Sequence, residues 1–162
     1  VCLGVRKSEL IEARWKEFNL KKQVWSLPAE RSKTKASIDI PLPDQIIPWL
    51  KELEVRSCGS DYLFPSRKAS KRPFISSDTL NHAVAKMFGK KVDGGKKPSL
   101  NVAELGTPPH IAEKCLNHKI RGVEGIYDRH AYFDERREAL TKLAVHIAPM
   151  VNGESNVVKM VK

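Results

Sequence analysis

The stretch QVWSLPAERSKTKASIDIPL, residues 23–42, does most to decide the fold of this chain. Its two ends, QVWSLPA and SIDIPL, are short and rich in Val, Trp and Ile, residue types that favour strands. Between them, ERSKTKA is polar and cationic, as exposed loops usually are. The pattern predicts a β-hairpin whose tip carries Arg31, Lys33 and Lys35.

Apolar residues at helical spacing predict six helices around this hairpin. The expected positions are residues 5–18, 43–53, 76–88 and 108–118, a short helix around Tyr127, and a last helix that begins at Asp134. Pro48 lies inside the second range and should kink or delay that helix, because proline lacks a backbone N–H. The predicted fold class is mainly α with a small antiparallel β-hairpin or sheet, that is, α+β.

Capping residues and one apolar stripe support these helices. One of residues 76–78 should cap the third helix, and Thr107 should cap the fourth, since Pro108 suits the first helical position. Pro149 should end the last helix. The buried face of that helix is expected to contain Leu140, Leu143, Ala144 and Ile147.

The charge of the chain indicates a polyanionic partner. It has 29 Lys and Arg against 19 Asp and Glu, which gives a formal net charge of +10. Such a surface attracts polyanions with salt-dependent strength. Nucleic acid is the leading partner, although ribosomal and membrane-surface proteins share this composition. With 162 residues, the chain is long enough for one domain with its own core.

Cysteine spacing and hydropathy favour a cytoplasmic protein. Cys2, Cys58 and Cys115 are widely spaced and form no CxxC pair, which argues against a disulfide framework or a zinc site. No apolar run approaches the ~20 residues of a membrane span. The chain opens on VCLGVRKSEL without an initiator Met or a helix cap, so we expect it to begin inside a domain of a longer protein.

The segment LNHKIRGVEGIYDRH, residues 116–130, places His118 nine positions before Tyr127. This spacing suggests a tyrosine that attacks DNA. A phenol needs activating neighbours such as His118, because its proton leaves only near pH ~10. A tyrosine in a helix is more often a packing residue, however, so the pair decides nothing by itself.

Several segments together resemble the phage and prophage tyrosine recombinases, particularly the integrases of satellite phages and genomic islands. In chain order they are GVRKSELIEARWKEFNL, WSLPAERSKTK, IPLP, YLFPS, AELGTPPHIAEKCLNH and GIYDRH. The resemblance implies a mostly helical catalytic domain at residues 1–148 and a C-terminal tail at residues 149–162. It also implies that DNA is broken and rejoined through a 3′-phosphotyrosine, without a metal or another cofactor.

The resemblance implies a role for each of four residues. Tyr127 would be the nucleophile, and His118 would donate to the phosphate or assist proton movement at the tyrosine. Arg6 would grip two phosphate oxygens with its planar guanidinium. Lys33 would give a proton to the leaving 5′-oxygen, with Lys35 as the alternative because hairpin tips slip in alignment.

Further basic residues are predicted to contact DNA: Lys7, Arg31, Lys35 and Lys119. The run RKASKR at residues 67–72 is more typical of solvated surface. Two other tyrosines, Tyr62 and Tyr132, lack the expected distance from His118. Tyr132 is expected to pack against the last helix.

One part of the family pattern is missing. Tyrosine recombinases carry a histidine and a second catalytic arginine as HxxR before the helix matched here by NVAELG. This chain reads GKKVDGGKKPSLN over residues 89–101, without His or Arg, and His82 is followed by Ala85 where the arginine would stand. Loss of one such donor typically costs ~10² to 10³ in rate. Either the arginine is absent or the segment that carries it is missing from this sequence.

Two functions of different classes follow. The first is a site-specific integrase that acts on double-stranded attachment-site DNA as a homotetramer, in the bacterial cytoplasm at the nucleoid. The second is a degenerate recombinase that binds DNA or partner protomers without catalysis. A basic DNA-binding protein unrelated to recombinases is a distant third, because it gives no reason for the ordered motifs.

Overall fold

A computed structural model describes residues 3–67, 72–88, 105–117 and 132–151. Its helices are α1 (Lys7–Ile11), α2 (Ile47–Arg56), α3 (Ser77–Phe88), α4 (Pro109–Cys115) and α5 (Phe133–Val151). Its strands are β1 (Phe18–Asn19), β2 (Val24–Leu27) and β3 (Ile38–Pro41), and two 3₁₀ turns lie at Trp15–Glu17 and Asp44–Ile46. The predicted mainly α fold with a small antiparallel sheet is confirmed. The predicted helix around Tyr127 and the lysine-rich segment 89–101 lie outside the described residues.

The predicted hairpin is confirmed, and it belongs to a three-stranded antiparallel sheet in the order β1-β2-β3. Trp25 pairs with Ile40 and Leu27 with Ile38, so these four side chains lie on the same face of the sheet. Trp25 and Leu27 are buried, whereas Ser26 between them is exposed and donates to Asp39. The hairpin therefore presents one face to the core and leaves its tip near α1.

The helix predicted over residues 5–18 ends at Ile11 and is followed by the short turn and β1. Backbone groups beyond Ile11 bond to a distant segment instead of continuing the helix. The carbonyl of Ala13 accepts from Leu63 N–H at 2.9 Å, and Trp15 N–H donates to Asp61 at 2.9 Å. The apolar spacing located a buried face but could not reveal this competing partner.

The prediction for Pro48 is confirmed in part, and the prediction for Pro149 is wrong. The α-helix starts at Ile47, after the 3₁₀ turn at Asp44–Ile46, which is later than the predicted start at residue 43. Pro48 does not kink the helix, because it lies in the first turn, where its missing N–H has no helical partner to lose. Pro149 lies within α5, which continues to Val151. A proline this close to a helix end removes only one hydrogen bond of the last turns, and the helix persists for two more residues.

The predicted caps have different outcomes. Ser76 does cap α3, because its Oγ accepts from Thr79 N–H at 3.2 Å. The prediction for Thr107 is wrong, since Pro108 is the N-cap of α4. Thr107 is instead buried, and its hydroxyl has no hydrogen-bond partner within the described part of the chain.

The core lies between α5, α4 and the hairpin. The predicted stripe of α5 is confirmed, because its four residues are all 2% exposed or less: Leu140, Leu143, Ala144 and Ile147. Arg136 is also buried on α5 and donates to the Asp39 carbonyl at 2.7 Å, which ties the helix to β3. Burial lowers the pKa of Arg136, and the nearby Cys115 and Asp39 oppose that shift.

None of the helices in these described ranges is both long and apolar enough to cross a membrane.

Leu140→Ala should lower the free energy of unfolding by about 2–5 kcal/mol, because it removes a buried side chain and leaves a cavity. Val145→Ala on the same helix is the matched control, since Val145 is 53% exposed. Urea unfolding followed by circular dichroism measures both variants. Similar small effects at the two positions would contradict the packing of α5.

Cys115 and Cys58 should differ in their rates of alkylation. Burial raises the pKa of Cys115 to about 11, with Arg136 opposing, so almost none of this thiol ionises at pH 8. Cys58 is exposed. Iodoacetamide at pH 8, with peptide mass spectrometry at timed intervals, should label Cys58 first. Equal labelling of the two thiols in the folded protein would contradict the prediction.

Candidate active site

The buried carboxylate of Glu9 joins two of the predicted catalytic residues. Its Oε2 accepts from the backbone N–H of Arg6 at 3.0 Å, and its Oε1 accepts from the backbone N–H of Lys33 at 3.2 Å. The Arg6 guanidinium also contacts Oε1, at 3.5 Å through Nη1. The fold thus brings Arg6 and the hairpin lysine to the same carboxylate.

Local helix geometry places Glu9 at this position. Arg6 is the N-cap of α1, with extended backbone angles, and Glu9 is the third residue of the helix. A glutamate at that position commonly reaches back to the N-cap N–H, as one half of a capping box. Glu9 is 3% exposed, whereas the Arg6 side chain is 27% exposed, so part of its guanidinium faces solvent. The carboxylate therefore supports the arginine from inside.

The chain entering Arg6 passes very close to the end of α4. Gly4 has a φ of +65°, and a Cβ at that position would lie 2.7 Å from the carbonyl oxygen of Cys115. Both facts favour glycine, which tolerates positive φ and allows close backbone approach. This contact sets the position of the Arg6 segment relative to α4.

Arg31, predicted as a DNA contact, has its side chain directed inward and only 14% exposed. Nη1 donates to both carboxylate oxygens of Glu17, at 2.8 and 2.9 Å, and to the Glu12 carbonyl at 2.6 Å. Nη2 donates to the Glu9 carbonyl at 2.5 Å. These bonds fasten the loop after β2 to the C-terminal end of α1, where helix carbonyls lack helical partners.

The remaining predicted residues fall into two groups. Lys33, Lys35 and Lys7 are exposed, and Lys7 donates to Asn81 of α3 at 3.2 Å. Three more lie outside the described residues: His118, Lys119 and Tyr127. Their roles stay predictions.

Tyr132 immediately precedes α5, and its ring contacts lie on α4. Its ring contacts the exposed His110 ring, with the two centroids 5.5 Å apart, and Lys114 Nζ lies over the Tyr132 ring at 5.7 Å from its centroid.

Within the described ranges, no three His, Cys, Asp or Glu side chains are grouped as metal ligands would be.

The sequence reasoning missed Glu9, Glu17 and Asn117. Asn117 donates from its side chain to the loop that carries Lys33. For Glu9 a signal was present, since an N-cap residue followed three positions later by glutamate is a capping pattern. The partners of the other two are distant in sequence, and no local pattern identifies them.

The mainly α fold with a small antiparallel sheet is that expected of a tyrosine recombinase catalytic domain. The phage integrase family model matches residues 1–133, and the chain belongs to this family. Prophage integrase IntA of Escherichia coli K12 is 33% identical over 137 residues, which cover 82% of this chain and 33% of that protein. Prophage integrase IntZ of the same strain is 28% identical over 162 residues, covering 96% and 40%.

The integrase of Shigella phage Sf6 is 27% identical over 144 residues, which cover 85% of this chain and 37% of that protein. The chain thus spans between a third and two fifths of the length of these curated relatives. No solved structure matches significantly.

Glu9→Gln should lower the free energy of unfolding by about 1–3 kcal/mol. The substitution replaces one carboxylate oxygen by an amide –NH₂, which cannot accept the hydrogen bond from the backbone N–H that it faces. Glu12→Gln, three residues further along, is the control, since only the backbone carbonyl of Glu12 takes part in the network. Urea unfolding of both variants tests this. Equal stability of the two variants would show that the Glu9 carboxylate does not hold Arg6 and Lys33.

Proposed function

We propose that this chain is the catalytic domain of a site-specific DNA integrase that cleaves and rejoins attachment-site DNA through a 3′-phosphotyrosine at Tyr127. The observation that supports it best is the single carboxylate of Glu9, which binds the backbone N–H groups of Arg6 and Lys33. Membership of the phage integrase family and the net charge of +10 also support it.

In the cleavage step, Tyr127 Oη forms a bond to phosphorus while the bond from phosphorus to the 5′-oxygen breaks. The phenol proton leaves to water or to His118. The proton of Lys33 Nζ passes to the 5′-oxygen, which departs as a hydroxyl. One phosphoester replaces another, so the bond energy is kept for rejoining, and rejoining is the reverse of this step.

Arg6 stabilises the charge that develops on the non-bridging phosphate oxygens. A guanidinium suits this task because it presents two parallel donors and keeps its charge. Its backbone is anchored and its guanidinium is tethered to Glu9, so little reorganisation is needed when phosphate binds.

The loop geometry favours Lys33 over Lys35 as the general acid. Lys33 has its backbone N–H on Glu9, the carboxylate that also supports Arg6. Lys35 lies further along the loop, in a left-handed conformation with a φ of +58°, and its N–H donates to Ser32. We assign Lys35, Lys7 and Lys119 to DNA phosphate contacts.

Arg31 is assigned to support of the loop rather than to DNA binding, because its guanidinium is hydrogen-bonded inside the fold.

We further propose that the active form is a homotetramer on two DNA duplexes in the bacterial cytoplasm. The competing function is that of a degenerate recombinase, for which the missing HxxR at residues 89–101 is the supporting observation.

Tyr127→Phe should abolish formation of a covalent protein–DNA adduct, because phenylalanine lacks the attacking oxygen. A nicked suicide substrate that carries the attachment site traps this adduct, and a denaturing gel separates it from free DNA. Tyr132→Phe is the control and should keep the adduct, since the Tyr132 ring packs against His110.

The same experiment tests the competing function. If the unsubstituted protein shifts DNA in a native gel but forms no adduct under any condition tried, the protein binds DNA without cleaving it. An adduct that persists in Tyr127→Phe would instead show that another residue is the nucleophile.

A further inference from the structure

The side chain of Asn117 contacts the loop that carries Lys33. Its Nδ2 donates to Ser32 Oγ at 3.3 Å and to Thr34 Oγ1 at 3.3 Å, and these two hydroxyls flank Lys33 on either side. We propose that Asn117 is a positioning residue, which holds the Lys33 loop against the end of α4 so that the ammonium can reach the leaving oxygen. This inference rests on the proposed function.

The two hydroxyls are arranged as a pair before Asn117 reaches them. Ser32 is 2% exposed, and its Oγ lies 2.8 Å from Thr34 Oγ1. Thr34 N–H also donates to Ser32 Oγ, at 3.3 Å. Because the two oxygens are so close together and equally far from Nδ2, one N–H of the amide is shared between them as a three-centre hydrogen bond.

The backbone at Asn117 shows why the side chain matters. Asn117 follows α4 with a φ of +52°, and its N–H donates to Lys114 at 3.2 Å. This left-handed conformation at a helix end is most easily adopted by glycine. Glycine would meet the backbone requirement with less strain but would leave Ser32 and Thr34 without the amide. Asparagine thus adds a contact that the turn itself does not need.

Asn117 gives the loop a second attachment, in addition to its contacts with α1. On the α1 side, Glu9 binds the backbone N–H of Lys33, and Arg31 fastens the start of the loop. On the α4 side, Asn117 binds the residues before and after Lys33. The loop around Lys33 is therefore bound by two elements while the lysine side chain stays exposed. A general acid must lie within hydrogen-bond reach of the atom it protonates, so this placement affects leaving-group departure.

Asn117→Gly tests the proposal, because it keeps the positive φ and removes only the amide. With ordinary DNA, we expect cleavage to slow by about 5- to 30-fold, as for the loss of one or two neutral hydrogen bonds in the reacting geometry. With DNA that carries sulfur in place of the 5′-bridging oxygen, the rate should equal that of the unsubstituted protein, because a thiolate leaves without a proton. Lys33→Ala should show the same pattern with a larger loss.

Two further measurements separate positioning from general damage. Trypsin should cleave after Lys33 and Lys35 faster in Asn117→Gly, because the loop is released on one side. Thr34→Val is the matched partner variant, since it removes one acceptor and keeps the shape of the side chain. The double variant should be no slower than the slower single variant, as expected for two residues that share one interaction.

The proposal is overturned if Asn117→Gly slows cleavage equally with the oxygen and the sulfur substrates, or if its cleavage and digestion rates are both unchanged. In either case the unsubstituted protein still forms the adduct, so the proposed function survives. If the unsubstituted protein forms no adduct with either substrate, the proposed function and this inference fail together.

Discussion

The geometry of the candidate site depends on the ion pair between Arg31 and Glu17, which lies almost entirely inside the fold. The side chains are 14% and 6% exposed, so both charges have lost most of their hydration. Such a pair is tolerated only when further hydrogen bonds satisfy the remaining groups. Here Trp25 donates to the same carboxylate at 3.0 Å, and the carbonyls of Glu9 and Glu12 accept from the guanidinium. Arg31 Nε is buried without a hydrogen-bond partner among the described residues, so the compensation is incomplete. Removal of either charge would leave the other buried without its partner.

The Arg31 guanidinium also contributes to the stability of α1. A helix of five residues does not form by itself in water, because nucleation is unfavourable and few bonds repay it. Charged groups stabilise α1 at both ends, with the Glu9 carboxylate at the N-terminus and the Arg31 guanidinium at the C-terminus, as the helix dipole favours. The position of Arg6 at the N-cap is a consequence of that arrangement.

Those parts of the structure that follow from local patterns could be predicted from the sequence. The α5 stripe and the Ser76 cap depend on residues within a few positions of one another, and the hairpin depends on two strands that follow each other along the chain. The early end of α1 could not be predicted, because it depends on residues 61–63. For the same reason Arg31 resembled an exposed cation of the tip until its partners on α1 were known. The family resemblance named Arg6 and Lys33, and a capping pattern links Glu9 to Arg6, but the contact of Glu9 with Lys33 is visible only in three dimensions.

The described part of the site bears on the choice between catalysis and binding alone. A protein that only held DNA would gain from exposed cations such as Lys7 and Lys35, which contact phosphates without fixed geometry. A buried carboxylate beside Arg6 weakens the local positive potential and is unfavourable for affinity. The Glu9 carboxylate is favourable because it fixes the direction of the Arg6 guanidinium and the position of the loop that carries Lys33. Fixed geometry at the reacting phosphate is what transition-state stabilisation requires, so the arrangement favours the proposed catalytic function. Lysines at 96 and 97 could replace the charge of the missing arginine but not its two parallel donors.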